Sequence, residues 1–162
     1  MAAETKDILA TCLWFDKNGE EAARFYVDLF PDSSIDRIMH APADYPFGKA
    51  GDVLLVEFTL SGRRFQALNG GPNFHFTEAV SLSIDCDSQA EVDRYHAALS
   101  AHPENEACSW VKDRFGLSWQ IVPRIMTVLM NDPDREKARR VMEAMMTMKK
   151  IDIAAIEAAA RG

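Results

Sequence analysis

Only three cysteines occur in this 162-residue chain, Cys12, Cys86 and Cys108, and no two of them form a C-x-x-C pair. An odd number of thiols at unrelated spacings excludes a disulfide framework, and it suits reduced thiols in a cytoplasmic protein. Long apolar runs are missing too: none approaches the ~20 residues that span a bilayer. Residues 1–7 carry no signal-peptide pattern. Basic side chains are outnumbered, 18 against 25 acidic, for a formal net charge of −7. That field repels phosphate backbones and anionic lipid heads, so neither nucleic acid nor a membrane is expected as a partner. The four histidines, His40, His75, His96 and His102, include no i, i+4 pair of the kind that lets one helix face grip a metal. Glycine is scarce, and Gly70-Gly71-Pro72 follows a strand without opening a helix, which makes it a turn and not a phosphate cradle.

What the chain does have is the making of a core. Hydrophobic residues account for 48% and charged residues for 27%, ordinary values for a globular protein. Residues 8–15 form an apolar, β-favouring run and predict a strand. Asp16-Lys17-Asn18-Gly19 punctuates, and residues 20–30 have helical spacing, with Ala22, Phe25, Tyr26, Leu29 and Phe30 on one face. Pro31 stops that helix. Residues 35–39 predict a strand, and residues 53–60 and 63–69, joined by Ser61-Gly62, predict a hairpin. The order then repeats. Residues 80–85 alternate as a strand, Ser88 is placed to cap a helix over 90–99, and strand pieces follow near 108–111 and 118–122. Beyond Pro123 the chain turns Ala- and Met-rich and predicts helices over 132–148, starting at Asp132-Pro133, and over 151–160.

The repeat is visible residue by residue. At an offset of 70, Glu21, Arg24, Phe25 and Leu29 fall on Glu91, Arg94, Tyr95 and Leu99, and Thr11 falls on Ser81. At an offset of 54, Phe65-Gln66-Ala67 falls on Trp119-Gln120-Ile121. One domain of two βαβββ modules is therefore expected, over residues 8–69 and 80–123, with a helical extension over 124–162. The class is α+β, the sheet mixed and incurved around a cleft.

Several stretches together resemble a known family. They are Trp14-Phe15-Asp16, Asn18-Gly19-Glu20-Glu21-Ala22-Ala23, Phe25-Tyr26, Asn69-Gly70-Gly71-Pro72, Trp110-Val111-Lys112-Asp113, Phe115-Gly116 and Ser118-Trp119-Gln120-Ile121-Val122-Pro123. The chain resembles the PhnB-like branch of the vicinal oxygen chelate superfamily, whose members often carry a demethylubiquinone methyltransferase label. The superfamily also holds glyoxalase I, extradiol dioxygenases and bleomycin-resistance proteins. The resemblance implies paired βαβββ units, commonly dimeric. It also implies metal ligands on the first and fourth strand of each half. Carried over, those positions are Leu9 or Thr11 with Gln66, and about Ala79 or Ser81 with Gln120. Leucine and alanine cannot ligate, and hydroxyls and neutral amides hold a divalent transition metal poorly. No metal and no cofactor is therefore expected.

The symmetric pair Gln66 and Gln120 instead offers donors and acceptors to a small organic ligand in an apolar cleft. Thr11, Trp14, His75 and Trp119 are the further candidates to line it. Binding or sequestration of such a ligand is the expected function. An enzyme of lyase, isomerase or dioxygenase type is the alternative, and whether any substrate is turned over stays open. Methyl transfer is disfavoured, because the first strand runs into a segment with one glycine and no Gly-rich cofactor loop. The Val141, Met142, Met145 and Met146 face is expected to mediate a homodimer through the C-terminal helices.

Overall fold

The computed structural model describes residues 8–162, which divide into two compact units whose boundary in sequence lies between His75 and Phe76. In the first unit, strand β1 (Thr11–Phe15) leads to helix α1 (Gly19–Leu29) and then to strands β2 (Ser34–His40), β3 (Val53–Leu60) and β4 (Arg63–Asn69). The order across the sheet is β1-β4-β3-β2, with β1 parallel to β4 and the other pairs antiparallel.

Strand alternation decides which face of this sheet is covered. Leu13, Phe15, Val56, Phe58, Phe65 and Ala67 are 0–7% exposed. Register places Leu13 and Val56 beside Ala67, and Phe58 beside Phe65, so all six share one side. The helix contributes Ala22, Ala23 and Tyr26, each fully buried. Burial of each large side chain here stabilises by roughly 1.5–3 kcal/mol. Gly19 brings the helix start closer still: a Cβ there would lie 2.7 Å from Asn69 Oδ1. That oxygen instead accepts a hydrogen bond from the Gly19 N–H at 2.9 Å. Ser61 and Gly62 have φ of 45° and 77°, as a two-residue type I′ turn requires.

The second unit begins with strand β5 (Ser81–Cys86) and helix α2 (Gln89–Leu99). The Ser88 hydroxyl accepts from Glu91 N–H at 3.3 Å, and the Glu91 carboxylate accepts from the N–H of Asp87, the residue before the cap, at 2.7 Å. Strands β6 (Trp110–Lys112) and β7 (Ser118–Pro123) complete a three-stranded sheet of order β5-β7-β6, with β5 parallel to β7.

Here the structure departs from the second βαβββ module read from the sequence, because one strand is absent. Residues 103–105 form a 3-10 turn opening on Pro103. Glu106, 7% exposed, is drawn to the end of α2, where it accepts from the Ser100 hydroxyl and pairs with His96 Nε2 at 3.1 Å. Cys108 and Ser109 are left-handed, with φ of 50° and 71°, so the strand expected from residue 108 starts at Trp110. Repeat offsets shift as well. Thr11 lies opposite Phe65 and Leu82 opposite Trp119, so the first strands correspond at an offset of 71, with the buried Leu13 and Phe15 matching the buried Ile84 and Cys86. The link from strand to helix is one residue shorter in the second unit, which returns the helices to an offset of 70.

Three helices end the chain: α3 (Arg124–Met130), α4 (Arg135–Met146) and α5 (Ile153–Arg161). The sequence reading has no α3 and starts α4 at Asp132-Pro133. The cap is Asp134, whose carboxylate accepts from Glu136 N–H at 3.0 Å and Lys137 N–H at 3.2 Å. Met126, Leu129, Val141, Ile151, Ile156 and Ala160 form the core of these helices. Val141 is thus fully buried by its own chain and Met145 packs on the same cluster, which corrects the reading of both as part of an uncovered face. Met142 and Met146 stay exposed, at 46% and 61%. Gln89 ties α2 to the link before α5, donating to Ile151 O at 3.1 Å and accepting from Ile153 N–H at 2.9 Å. The strained pair helps too: Cys108 and Ser109 N–H donate to Met148 O and Lys149 O, both at 2.8 Å. Among the described residues no helix is long and apolar enough to cross a membrane.

Candidate functional site

Each sheet has a face that its own long helix does not cover, and each glutamine lies on that face. In the first unit, register aligns Cys12, Gln66, Glu57 and Arg37 in one row across the four strands. Gln66 donates to Glu57 Oε1 at 3.3 Å, and Arg37 donates to Glu57 Oε2 at 2.7 Å. Thr11 does not join this row. It sits opposite Phe65, whose side chain belongs to the helix-covered side, and Cys12 takes the position beside Gln66. Partial burial of its sulfur pushes the Cys12 thiol pKa up from the ordinary value, against a nucleophilic role.

Trp14 shares the face of Cys12 and is half-buried. Its indole N–H donates to Gly71 O at 2.8 Å, and Phe74 stands edge-on at 4.9 Å between ring centroids. Gly70 passes so close beneath the indole that a Cβ would meet it at 2.3 Å, so the Asn69-Gly70-Gly71 motif serves to seat this ring. His75 is exposed at the end of the unit and makes no hydrogen bond to Gln66. A hollow of about 550 Å³ among Lys17, Tyr45, Phe47 and Lys49 includes none of the row.

In the second unit, Trp119 faces the helix. It is 2% exposed and donates its indole N–H to Asp113 Oδ2 at 2.8 Å. Asp113 also accepts from Phe115 N–H at 2.8 Å and Leu117 N–H at 3.0 Å, so this motif closes a turn and holds a core tryptophan. The structure therefore removes Trp119 from the ligand-lining candidates. Alternation is the reason: its neighbour Gln120 points to the other face, beside Ser81, Ser83 and the cross-strand partner Trp110.

That other face is partly roofed. A cavity of about 380 Å³ lies among Gln120, Trp110, Cys108, Met126, Met130 and Met145, with further lining from β7, α3 and Ile151. Gln120 commits its NH₂ to Ser81 Oγ at 2.8 Å. Its carbonyl accepts no hydrogen bond among the described residues, and the Trp110 indole N–H finds no acceptor there. The volume falls at the small end of ligand sites, ~300–1,000 Å³. Sequence reasoning missed most of this wall because it missed α3. Trp110 was within reach, since antiparallel pairing sets it beside Gln120.

The donors on both faces suit a resident metal badly. Unit one offers a thiol, an amide and a carboxylate already paired with Arg37; unit two offers an amide, hydroxyls, the Cys108 thiol and methionine thioethers, with no imidazole or carboxylate in the cavity lining. Among the described residues no three His, Cys, Asp or Glu side chains converge on one point.

Parallel outer pairs in mixed sheets of order β1-β4-β3-β2 and β5-β7-β6, each with one crossover helix, define a duplicated α+β protein of vicinal oxygen chelate type. The family model described as 3-demethylubiquinone-9 3-methyltransferase matches residues 7–122. The PhnB protein of Bacillus cereus, whose name carries the same methyltransferase label, is 32% identical, with a TM-score of 0.60 over 72% of this chain and 98% of that one. Protein PA1353 from Pseudomonas aeruginosa, 21% identical, superposes with a TM-score of 0.54 over 71% of this chain and 96% of that one, a likeness of fold. No curated protein matches the chain. The chain belongs to this PhnB-like family of the glyoxalase and vicinal oxygen chelate group. Its family match stops at residue 122, so α3, α4 and α5 lie beyond it.

Proposed function

We propose that this protein binds a small organic molecule in the cavity over Gln120, without a tightly held metal. The observation carrying this reading is the pair of hydrogen-bonding groups on Gln120 and Trp110, open to solvent and without a protein partner among the described residues, at a mainly apolar pocket of about 380 Å³. Polar groups of that kind are few in ligand sites and set orientation there. Thermal-shift screening of a small-molecule library against the protein and its Gln120→Leu variant is the test. Hits that stabilise the parent and lose the effect in the variant support the reading; stabilisation that survives the change in every hit refutes it.

An enzyme of lyase, isomerase or dioxygenase type is the second reading, and Glu57 favours it. Its carboxylate, fixed between Gln66 and Arg37 on an uncovered sheet face, is placed to hydrogen-bond a substrate. Methyl transfer remains disfavoured despite the family's label, since β1 enters α1 through Asp16-Lys17-Asn18-Gly19 and small mixed sheets carry no Gly-rich cofactor turn. A homodimer through the C-terminal helices belongs to the same proposal, with Met142 and Met146 as the apolar groups it would cover.

A further inference from the structure

We infer that the C-terminal helices select an uncharged, mainly apolar ligand that presents a hydroxyl edge to Trp110 and Gln120; this rests on the binding reading above. Twelve residues line the cavity and none is charged. Five of them, Met126, Thr127, Met130, Asn131 and Met145, come from α3, α4 and the link between them, outside the family match. The selecting wall thus lies outside the part of the chain that the family model covers.

Three thioethers give that wall its character. Methionine side chains are unbranched and polarizable, so they mould to aromatic or alicyclic surfaces and tolerate variation in shape. The sheet supplies the polar edge. Trp110 and Gln120 are directly opposed across β6 and β7, which brings their side chains side by side. Trp110 offers a donor and, with its NH₂ held by Ser81, Gln120 offers an acceptor. One neutral hydroxyl satisfies both, accepting from the indole and donating to the amide carbonyl. A carboxylate satisfies only the indole and sets its second oxygen against the carbonyl lone pairs. It also brings a charge into a pocket with no cation, on a chain of net charge −7. Desolvating an unpaired carboxylate is far costlier than desolvating a hydroxyl.

Two ligands of one ring system separate these cases: 1-naphthol and 1-naphthoate at pH 7. Titration of full-length protein with ¹³C-methyl methionine, read by NMR, locates and ranks them together. Naphthol is expected to shift the methyls of Met126, Met130 and Met145 and to bind at least tenfold more tightly than naphthoate. Gln120→Leu should weaken naphthol fivefold or more. Thr127→Lys, at an exposed position on the rim, should tighten naphthoate without altering the fold. Naphthoate binding as well as naphthol at those methyls would overturn the selection while leaving ligand binding intact. Neither compound moving those methyls would overturn the selection and the binding reading together.

Discussion

Replacing Asp113 by alanine should cost this protein a large part of its stability. The carboxylate is 1% exposed and accepts from Phe115 N–H, Leu117 N–H and the Trp119 indole at 2.8, 3.0 and 2.8 Å. Truncation leaves these donors without an acceptor. Each buried unsatisfied donor costs ~1–3 kcal/mol. The Phe115 amide is only part-buried and regains water. Release of a buried charge offsets some of the loss, and removal of one partner from a buried charged network costs ~3–5 kcal/mol overall. At ~2–4 °C per kcal/mol for a chain of this size, Tm should fall by about 10–15 °C. Asp113→Asn divides the effect. Its remaining oxygen can keep Phe115 and Leu117, which share Oδ1, while its NH₂ confronts the Trp119 N–H. The loss should then be about half, and Trp119→Phe should cancel most of it in a double-mutant cycle. Urea denaturation followed by circular dichroism measures all five proteins: the parent, Asp113→Ala, and the three variants of the cycle. An Asp113→Ala loss below about 1 kcal/mol, or an additive cycle, would refute the assignment of this motif to scaffolding.

Other outcomes follow from the same geometry. Elemental analysis after dialysis should find no stoichiometric nickel, zinc, iron or manganese; metal lost on changing Gln66 or Gln120 would contradict the donor argument. Light scattering at micromolar concentration should give a dimer mass that Met142→Glu with Met146→Glu reduces toward the monomer, and a monomeric parent would end the dimer proposal. Burial, with help from Glu91, pushes the Cys86 thiol up to about 11. Its thiolate, the reactive form, is therefore scarce at pH 8 and grows as pH rises toward 11. Mass spectrometry after iodoacetamide treatment should show the exposed Cys12 alkylated well before the buried Cys86, and the reverse order would contradict the burial assigned to β5.

Much of the first unit was legible in its residues. Ser61-Gly62 between two alternating runs specifies a two-residue turn, and that turn alone pairs Leu60 with Arg63 and therefore Glu57 with Gln66. The cross-strand pairing of Glu57 with Gln66 is thus implied by the sequence itself. The cap at Ser88, the helices near Phe25 and Tyr95 and the paired glutamines were equally local, because periodicity and capping depend on neighbours in sequence.

What the residues alone determined is this repeated order of elements and the family it belongs to. Tertiary structure decided the rest. The second sheet lost a strand because Glu106 found His96 and Ser100, partners its own segment does not contain. Trp119 went to the core because parallel pairing with β5 placed it beside Leu82, leaving Gln120 on the open side. Residues 124–130 became a helix because Met126 and Leu129 could bury against Val141 and Ile156, twelve to thirty residues further along. The cavity over Gln120 exists only once that helix is packed, since Trp110, Met145 and Ile151 reach the stretch from Gln120 to Asn131 in space and not in sequence.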